Sequence, residues 1–416
     1  MTTHTDPLLR TSSIQEMSAS VFNRPYDKND IICATYLPLC LEYVVQLSCM
    51  YEYGEPQMKI KNSGMRAGWM CFYIHFVTEV ACFFLLLRLH GPGLPRWTSV
   101  FMYDALAFVP QSMVGRVKDR NPGLRLDLIG LLCITAALFF FSFDPQYGRA
   151  LGTALLCLGN CFTHISCADS TLRAGGDRIA PAAVFVGGGS FGVISGKLLD
   201  TAGCPYFVVM LIVLSAVPLC FLIPEEKTEE SGEPKKCGRY ADIAPNVTPW
   251  TVVIASVAVV AFRGFMGYGI PTSWNKTTFQ TVMLYFAMGF GKSLGGFLMD
   301  RYGARTSSVI SIAVSVPFLL FGADRMMLSL LGVMLFSMTM PITLGMIATV
   351  LPETPGLSFG LTTIGLFLGS CPLLFCKITD RKVQFATVLA ASLVCLVIML
   401  LITEKEMNEM KKEDAE

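Results

Sequence analysis

Among the ionisable side chains inside long apolar runs of this chain, six could do chemistry: His75, Glu79, Asp104, His164, Arg263 and Lys292. Charge in apolar surroundings is costly, and within a membrane it marks a solute pathway or proton relay with a partner close by. His75 and Glu79 are four residues apart, so a helix puts them on one face. A carboxylate beside an imidazole can take up and release a proton. Asp104, Gln111 and Gly115 follow at steps of seven and four and share one helical stripe. Asn160 and His164 lie one above the other on a further helix. Arg263 and Lys292, much later in the chain, carry the opposite sign. Arg263 offers planar two-point hydrogen bonding to a carboxylate or similar oxyanion, and Lys292 a second anchor. The expected chemistry is binding and proton exchange. Arg263, Lys292, Asp104, Gln111 and Asn160 would contact a substrate, with Asp104 as counter-charge to Arg263 or partner to Glu79. Glu79, His75 and His164 would handle the proton. The sequence holds no nucleophile motif, metal triad or cofactor loop, so no catalytic residue, metal or cofactor is expected.

The elements that position these groups must be membrane helices. Of 416 residues, 53% are hydrophobic and only 15% charged, too few to cover a water-soluble surface. A net charge of +1 gives no basis for nucleic-acid binding. The fifteen cysteines fall mostly in apolar runs, with no CxxC pair or zinc spacing, and read as reduced apolar residues. Apolar stretches of spanning length run over 67–90, 98–115, 125–144, 147–167, 180–199 and 205–223. After a charged break they resume over 249–270, 278–299, 306–322, 326–347, 355–375 and 383–403. With water excluded these must be helices. At a rise of about 1.5 Å per residue, Asp104 and Arg263 both sit roughly 10 Å below the outer boundary.

Basic residues fix the orientation. With both termini and the loops after even-numbered spans in the cytoplasm, that side holds about twenty-one Lys and Arg against about eight opposite. The expected divisions are an extension, 1–64; a six-helix bundle, 65–223; a cytoplasmic linker, 224–248; a second bundle, 249–405; and a tail, 406–416. Residues 31–51 are apolar but interrupted by Pro38, Glu42 and Gln46 and flanked by basic residues on both sides, which favours an interfacial or cytoplasmic segment over a thirteenth span.

One signature occurs twice, about 180 residues apart: Gly115-Arg-Val-Lys-Asp119-Arg120-Asn-Pro-Gly123-Leu-Arg125 and Gly296-Phe-Leu-Met-Asp300-Arg301-Tyr-Gly303-Ala-Arg305. Each joins two apolar runs as a tight basic hairpin, so the chain is duplicated. Gly115 and Gly296 would let another helix come close. Asp119 and Asp300 would dock on the positive N-termini of neighbouring helices, which Thr354-Pro355 and Pro181 open. The repeated pattern resembles the signature loop of the major facilitator superfamily, over about residues 65–405. That resemblance implies an all-α membrane protein of twelve transmembrane helices in two pseudo-symmetric six-helix bundles. It also implies that Gly115, Asp119, Arg120, Arg125, Gly296, Asp300, Arg301 and Arg305 form gating loops that latch the cytoplasmic side. The run Gly187-Gly-Gly-Ser-Phe-Gly192-Val-Ile-Ser-Gly196 is loosely similar to that superfamily's antiporter motif but lacks its Gly-Pro pair. The fourth span also lacks the mid-helix arginine of many proton-coupled members.

The expected function is therefore secondary active transport of a small solute, an organic anion, by proton-coupled alternating access. The expected partners are that solute, protons and the bilayer, for a monomer in the plasma (inner) membrane. Efflux of hydrophobic or drug-like compounds is the rival within transport. A membrane-embedded enzyme or a receptor is the rival outside it.

Overall fold

The computed structural model describes residues 56–86, 88, 96–143, 147–223, 236–375 and 378–404. Most of the expected extension, the acidic part of the linker and the tail lie outside the described residues.

The first half begins with α1 (Pro56–Leu86), which starts ahead of the expected 67. The second expected span forms as two pieces, α2 (Arg96–Phe108) and α3 (Gln111–Arg120). Pro110 divides them, because it has no N–H and crowds the carbonyl one turn back. The Gln111 side-chain amide donates to the Ala107 carbonyl across this break, at 3.0 Å. Then come α4 (Leu126–Phe143), α5 (Tyr147–Ala174) and α6 (Ala180–Thr201). The sixth expected span is also divided, into α7 (Tyr206–Leu214) and α8 (Val217–Leu222), with Pro218 in the first turn of α8.

The second half starts at α9 (Pro249–Gly269), where the Thr248 hydroxyl accepts from Thr251 N–H and Pro249 fills the first turn. α10 (Thr278–Ser308) opens on a reciprocal cap between Thr277 and Gln280. A π-helical turn (Val309–Val314) leads into α11 (Ser315–Phe321). α12 (Met326–Ser337) and α13 (Thr339–Val350) meet at Met338, shortly before Pro341. α14 (Pro355–Phe375) follows, and α15 (Arg381–Ile402) is capped by Asp380, which accepts from the Lys382 and Val383 N–H groups.

Among the described residues, nine helical stretches are long and apolar enough to cross a membrane. One of them, Thr278–Phe321, has 44 residues, and a straight helix of that length would run about 66 Å, twice a hydrocarbon core of about 30 Å. It breaks at Gly303 (φ 70°, ψ 171°), a conformation that glycine alone adopts freely. Large apolar side chains face outward, including Met113, Phe143, Phe321 and Met327, each at least 70% exposed. Lipid tolerates such a surface and water does not. The chain is an integral multi-pass membrane protein. The eleven described cysteines are all free.

Inside each half, neighbouring helices pack over long faces: α1 on α6, α4 on α5, α9 on α14 and α10 on α12. The helices before the linker meet those after it along two main seams, α6 with α10, and α2 and α3 with α14. Missing side chains make close approach possible. A Cβ on Gly115 would lie 2.3 Å from the Gly356 carbonyl oxygen, and one on Gly296 would lie 2.3 Å from the Ala183 Cβ. In α6, a Cβ on Gly188 would meet the Phe72 backbone of α1 at 2.5 Å, and one on Gly187 would meet the Ser293 Oγ of α10 at 2.2 Å. The described part of the linker is tied down as well. Cys237 N–H donates to the Pro352 carbonyl and the Tyr240 hydroxyl to the Leu172 carbonyl, each at 2.7 Å.

Candidate functional site

The buried polar residues of the first half converge on Glu79. His75 Nε2 lies 3.9 Å from Glu79 Oε1, as their spacing on α1 requires. His164, from α5, comes closer, with Nε2 at 3.3 Å from the same oxygen. Asn160, one turn before it, donates its amide to Glu79 Oε1 at 3.0 Å and to the Tyr103 hydroxyl of α2 at 2.9 Å. The Cys82 sulfur accepts from that amide nitrogen at 3.5 Å. All of these side chains are buried.

The far side of each imidazole is fixed. His75 Nδ1 is 2.9 Å from the Phe185 carbonyl, and His164 Nδ1 is 2.8 Å from the Asn160 carbonyl. A carbonyl can only accept, so both Nδ1 atoms carry the hydrogen and both Nε2 atoms of the neutral rings present a lone pair. The two rings meet edge to face at 4.4 Å between centroids, and His164 also stacks on Phe359 of α14, at 6.1 Å. One ligand atom from each of His75, Glu79 and His164 lies within 4.8 Å of the other two, and these three side chains could hold a cation. Spacing joins only two of these three, because His164 is brought in from another helix.

The cations of the second half approach the cluster without closing on it. Lys292, half-buried on α10, is near enough for its charge to act on Glu79, His75 and His164. Arg263 is 9% exposed, and its charge is felt by Lys292. Among the described residues, Arg263 has no carboxylate within ion-pair distance, and its buried Nε has no hydrogen-bond partner. Asp104 is buried too, and the charge of Glu79 acts on it. Of the two roles open to Asp104, an ion pair with Arg263 is not seen among the described residues, and Asp104 lies within electrostatic reach of Glu79. Gln111 is fully buried at the α2–α3 break. Lys197 of α6 is a cation whose only sequence signal is its place inside the apolar run 180–199. Its ammonium donates to the Tyr285 hydroxyl of α10 at 2.8 Å and sits over the Phe83 and Tyr285 rings.

The repeated hairpins cross between the halves in reciprocal fashion. Asp119, at the end of α3, accepts from Gly356 N–H at 2.8 Å and Leu357 N–H at 2.9 Å, in the first turn of α14. Asp300, on α10, accepts from Ile179 N–H at 2.7 Å and Ala180 N–H at 3.1 Å, where α6 begins. Each carboxylate thus meets N–H groups that have no partner within their own helix, at the positive end of a helix dipole. Arg125 and Arg305 do matching work at C-terminal ends. Arg125 donates to the Cys220 carbonyl, and Arg305 to the Leu400 and Thr403 carbonyls at 2.7 Å each. Arg120 and Arg301 are exposed. The buried charges around Asp119 come instead from Lys118, Asp169 and Arg173. Arg173 Nε is 2.8 Å from Asp169 and its Nη2 is 3.7 Å from Asp119. The signal for this group was an Asp and Arg four residues apart, just past the expected end of the fourth span.

No protein-family model matches the chain, and no curated protein sequence does. Solved structures do match. The human organic anion transporter MFSD10 (TETRAN) is 13% identical with a TM-score of 0.61, over 81% of this chain and 99% of that one. A variant of the E. coli fucose:proton symporter FucP is 13% identical with a TM-score of 0.56, over 81% and 98%. A bacterial homologue of the iron transporter ferroportin, in an outward-facing state, is 14% identical with a TM-score of 0.52, over 81% and 98%. At such identities the likeness concerns the backbone, and with the doubled hairpin it leads to one conclusion: the chain has the fold of the major facilitator superfamily transporters.

Proposed function

We propose that this protein is a secondary active transporter that moves a small solute by alternating access. Twelve spans form two six-helix bundles, 65–223 and 249–405. The extension 1–64, the linker 224–248, the tail 406–416 and both termini lie in the cytoplasm, and the protein works as a monomer in the plasma (inner) membrane. The observation that carries this reading is the reciprocal docking of Asp119 on α14 and Asp300 on α6. Two halves tied at one end by carboxylates on helix N-termini can separate there without unfolding either half. Gly115, Asp119, Arg120, Arg125, Gly296, Asp300, Arg301 and Arg305 are the gating residues of this scheme.

The solute is a small organic anion. Arg263 supports this, because a buried guanidinium with an unsatisfied Nε is a site short of an acceptor. Lys292 supplies the second positive charge, and Asp104, Gln111 and Asn160 complete the lining. The description of MFSD10 as an organic anion transporter points the same way. Coupling is to protons through Glu79, with His75 and His164 beside it, and FucP, described as a fucose:proton symporter, offers a parallel on the same fold.

Uptake of organic acids into proteoliposomes, with and without an imposed pH gradient, tests both parts. Arg263→Ala should weaken anion binding roughly 100-fold, the scale of losing one partner of a buried charge pair. Glu79→Gln should permit exchange but abolish gradient-driven accumulation. Unchanged binding in the first variant refutes the anion anchor, and unchanged accumulation in the second refutes proton coupling.

A further inference from the structure

We propose that His75, Glu79 and His164 form a binding site for one divalent first-row transition-metal ion of the zinc or cobalt kind. The proposal goes beyond the transport reading, because it concerns what three side chains bind at equilibrium whether or not an anion is moved.

The two Nε2 lone pairs and Glu79 Oε1 converge, with Nε2–Oε1 separations of 3.3 and 3.9 Å. Ligands about 2.0–2.1 Å from a tetrahedral ion are about 3.3–3.4 Å apart. The two sides that meet at Glu79 are close to this, and the three ligand atoms all lie within 4.8 Å of one another, so an ion would draw the imidazoles inward. The second arm of each ligand is already set for the task. Each imidazole donates its other N–H to a backbone carbonyl, Phe185 or Asn160, which fixes the metal-binding tautomer. The carboxylate is held by the Asn160 amide. That amide's own oxygen is buried and has no hydrogen-bond partner, which leaves it available to a water completing the coordination sphere.

Backbone packing keeps the site in place. A Cβ on residue 189 would lie 2.4 Å from His75 Nε2, so glycine there makes room for the ring. Two nitrogens and one oxygen suit a borderline ion such as Zn²⁺ or Co²⁺ better than Ca²⁺ or Mg²⁺, which prefer oxygen. Asp104 lies within electrostatic reach of Glu79, and the charge of Lys292 acts on all three ligands. An ion and a coupling proton would contend for the same lone pairs.

The test is titration of the full-length protein, purified in detergent and cleared of metal with a chelator, with CoCl₂ and ZnCl₂. Calorimetry counts the sites, and X-ray absorption of the zinc form identifies the donor atoms. One saturable site with nitrogen and oxygen donors at about 2.0–2.1 Å is expected. His75→Gln, His164→Gln and Glu79→Gln should each weaken it at least about 100-fold, and Asn160→Ala roughly 10-fold. Absence of a saturable site, sulfur donors at about 2.3 Å, or binding that survives all three ligand substitutions would overturn the proposal. The wild-type spectrum decides even where a variant fails to fold. A negative result leaves anion transport untouched, and a transport failure leaves the binding result standing.

Discussion

Asn160 is the residue on which the buried cluster depends. Its amide serves Glu79 and Tyr103 at once, and its backbone carbonyl orients His164. Asn160→Ala would strand two buried groups, each costing about 1–3 kcal/mol when unsatisfied. We expect a clear drop in thermal midpoint, whereas Tyr103→Phe, which removes only one partner, should give a smaller one. Sequence reveals the residues here better than their partnerships. His75 and Glu79 share one helix, so spacing alone joins them. His164 enters from a helix that no local pattern pairs with α1. Arg263 and Asp104 share a depth, and that likeness suggested a bond. Depth does not say which way a side chain turns, and the two are not paired among the described residues.

Among the elements, the helix ends govern behaviour. Asp119 and Asp300 each hold two backbone N–H groups of a helix in the opposite half. Hydrogen bonds to a charged acceptor contribute about 1.5–3 kcal/mol each. Asp119→Asn should therefore speed amide exchange at Gly356 and Leu357 by roughly 10-fold or more, and Asp300→Asn should do so at Ile179 and Ala180. Hydrogen–deuterium exchange on the purified protein reads both effects, and exchange rates equal to wild type would show that the docking bears no load. The helices themselves were largely legible, since long apolar runs in lipid leave the backbone no other form. Their interruptions were less so. Pro110 splits one expected span and Pro218 another, whereas the break at Gly303 falls within the repeated hairpin, between the expected ends 299 and 306. Runs of hydrophobic residues measure length, and a kink costs no hydropathy.

For the whole molecule, the doubled hairpin was the strongest sequence signal, and its copies make equivalent contacts. Arg125 and Arg305, 180 positions apart, both close on carbonyls near the end of the last helix of their half. Arg305→Ala should fray α15 at that end and lower stability by about 1.5–3 kcal/mol, measured as a reduced thermal midpoint. The proposed orientation makes its own prediction. A green fluorescent protein fused after Glu416 should fluoresce in the cytoplasm, and alkaline phosphatase fused there should be inactive. Active phosphatase would invert the topology. Which faces meet across the two seams could not be read from composition, because lipid-facing and partner-facing helix surfaces are both apolar.

The pair of glycines back to back in α6 has a mechanical consequence. At these two positions the rod carries no side chain, with one flank against Phe72 and the other against Ser293. Interlocked knobs must unmesh before neighbouring rods can slip, and at this level there is none to unmesh. Roughening that level with Gly187→Leu should jam the machine in one posture, with substrate still able to dock yet turnover brought to a halt.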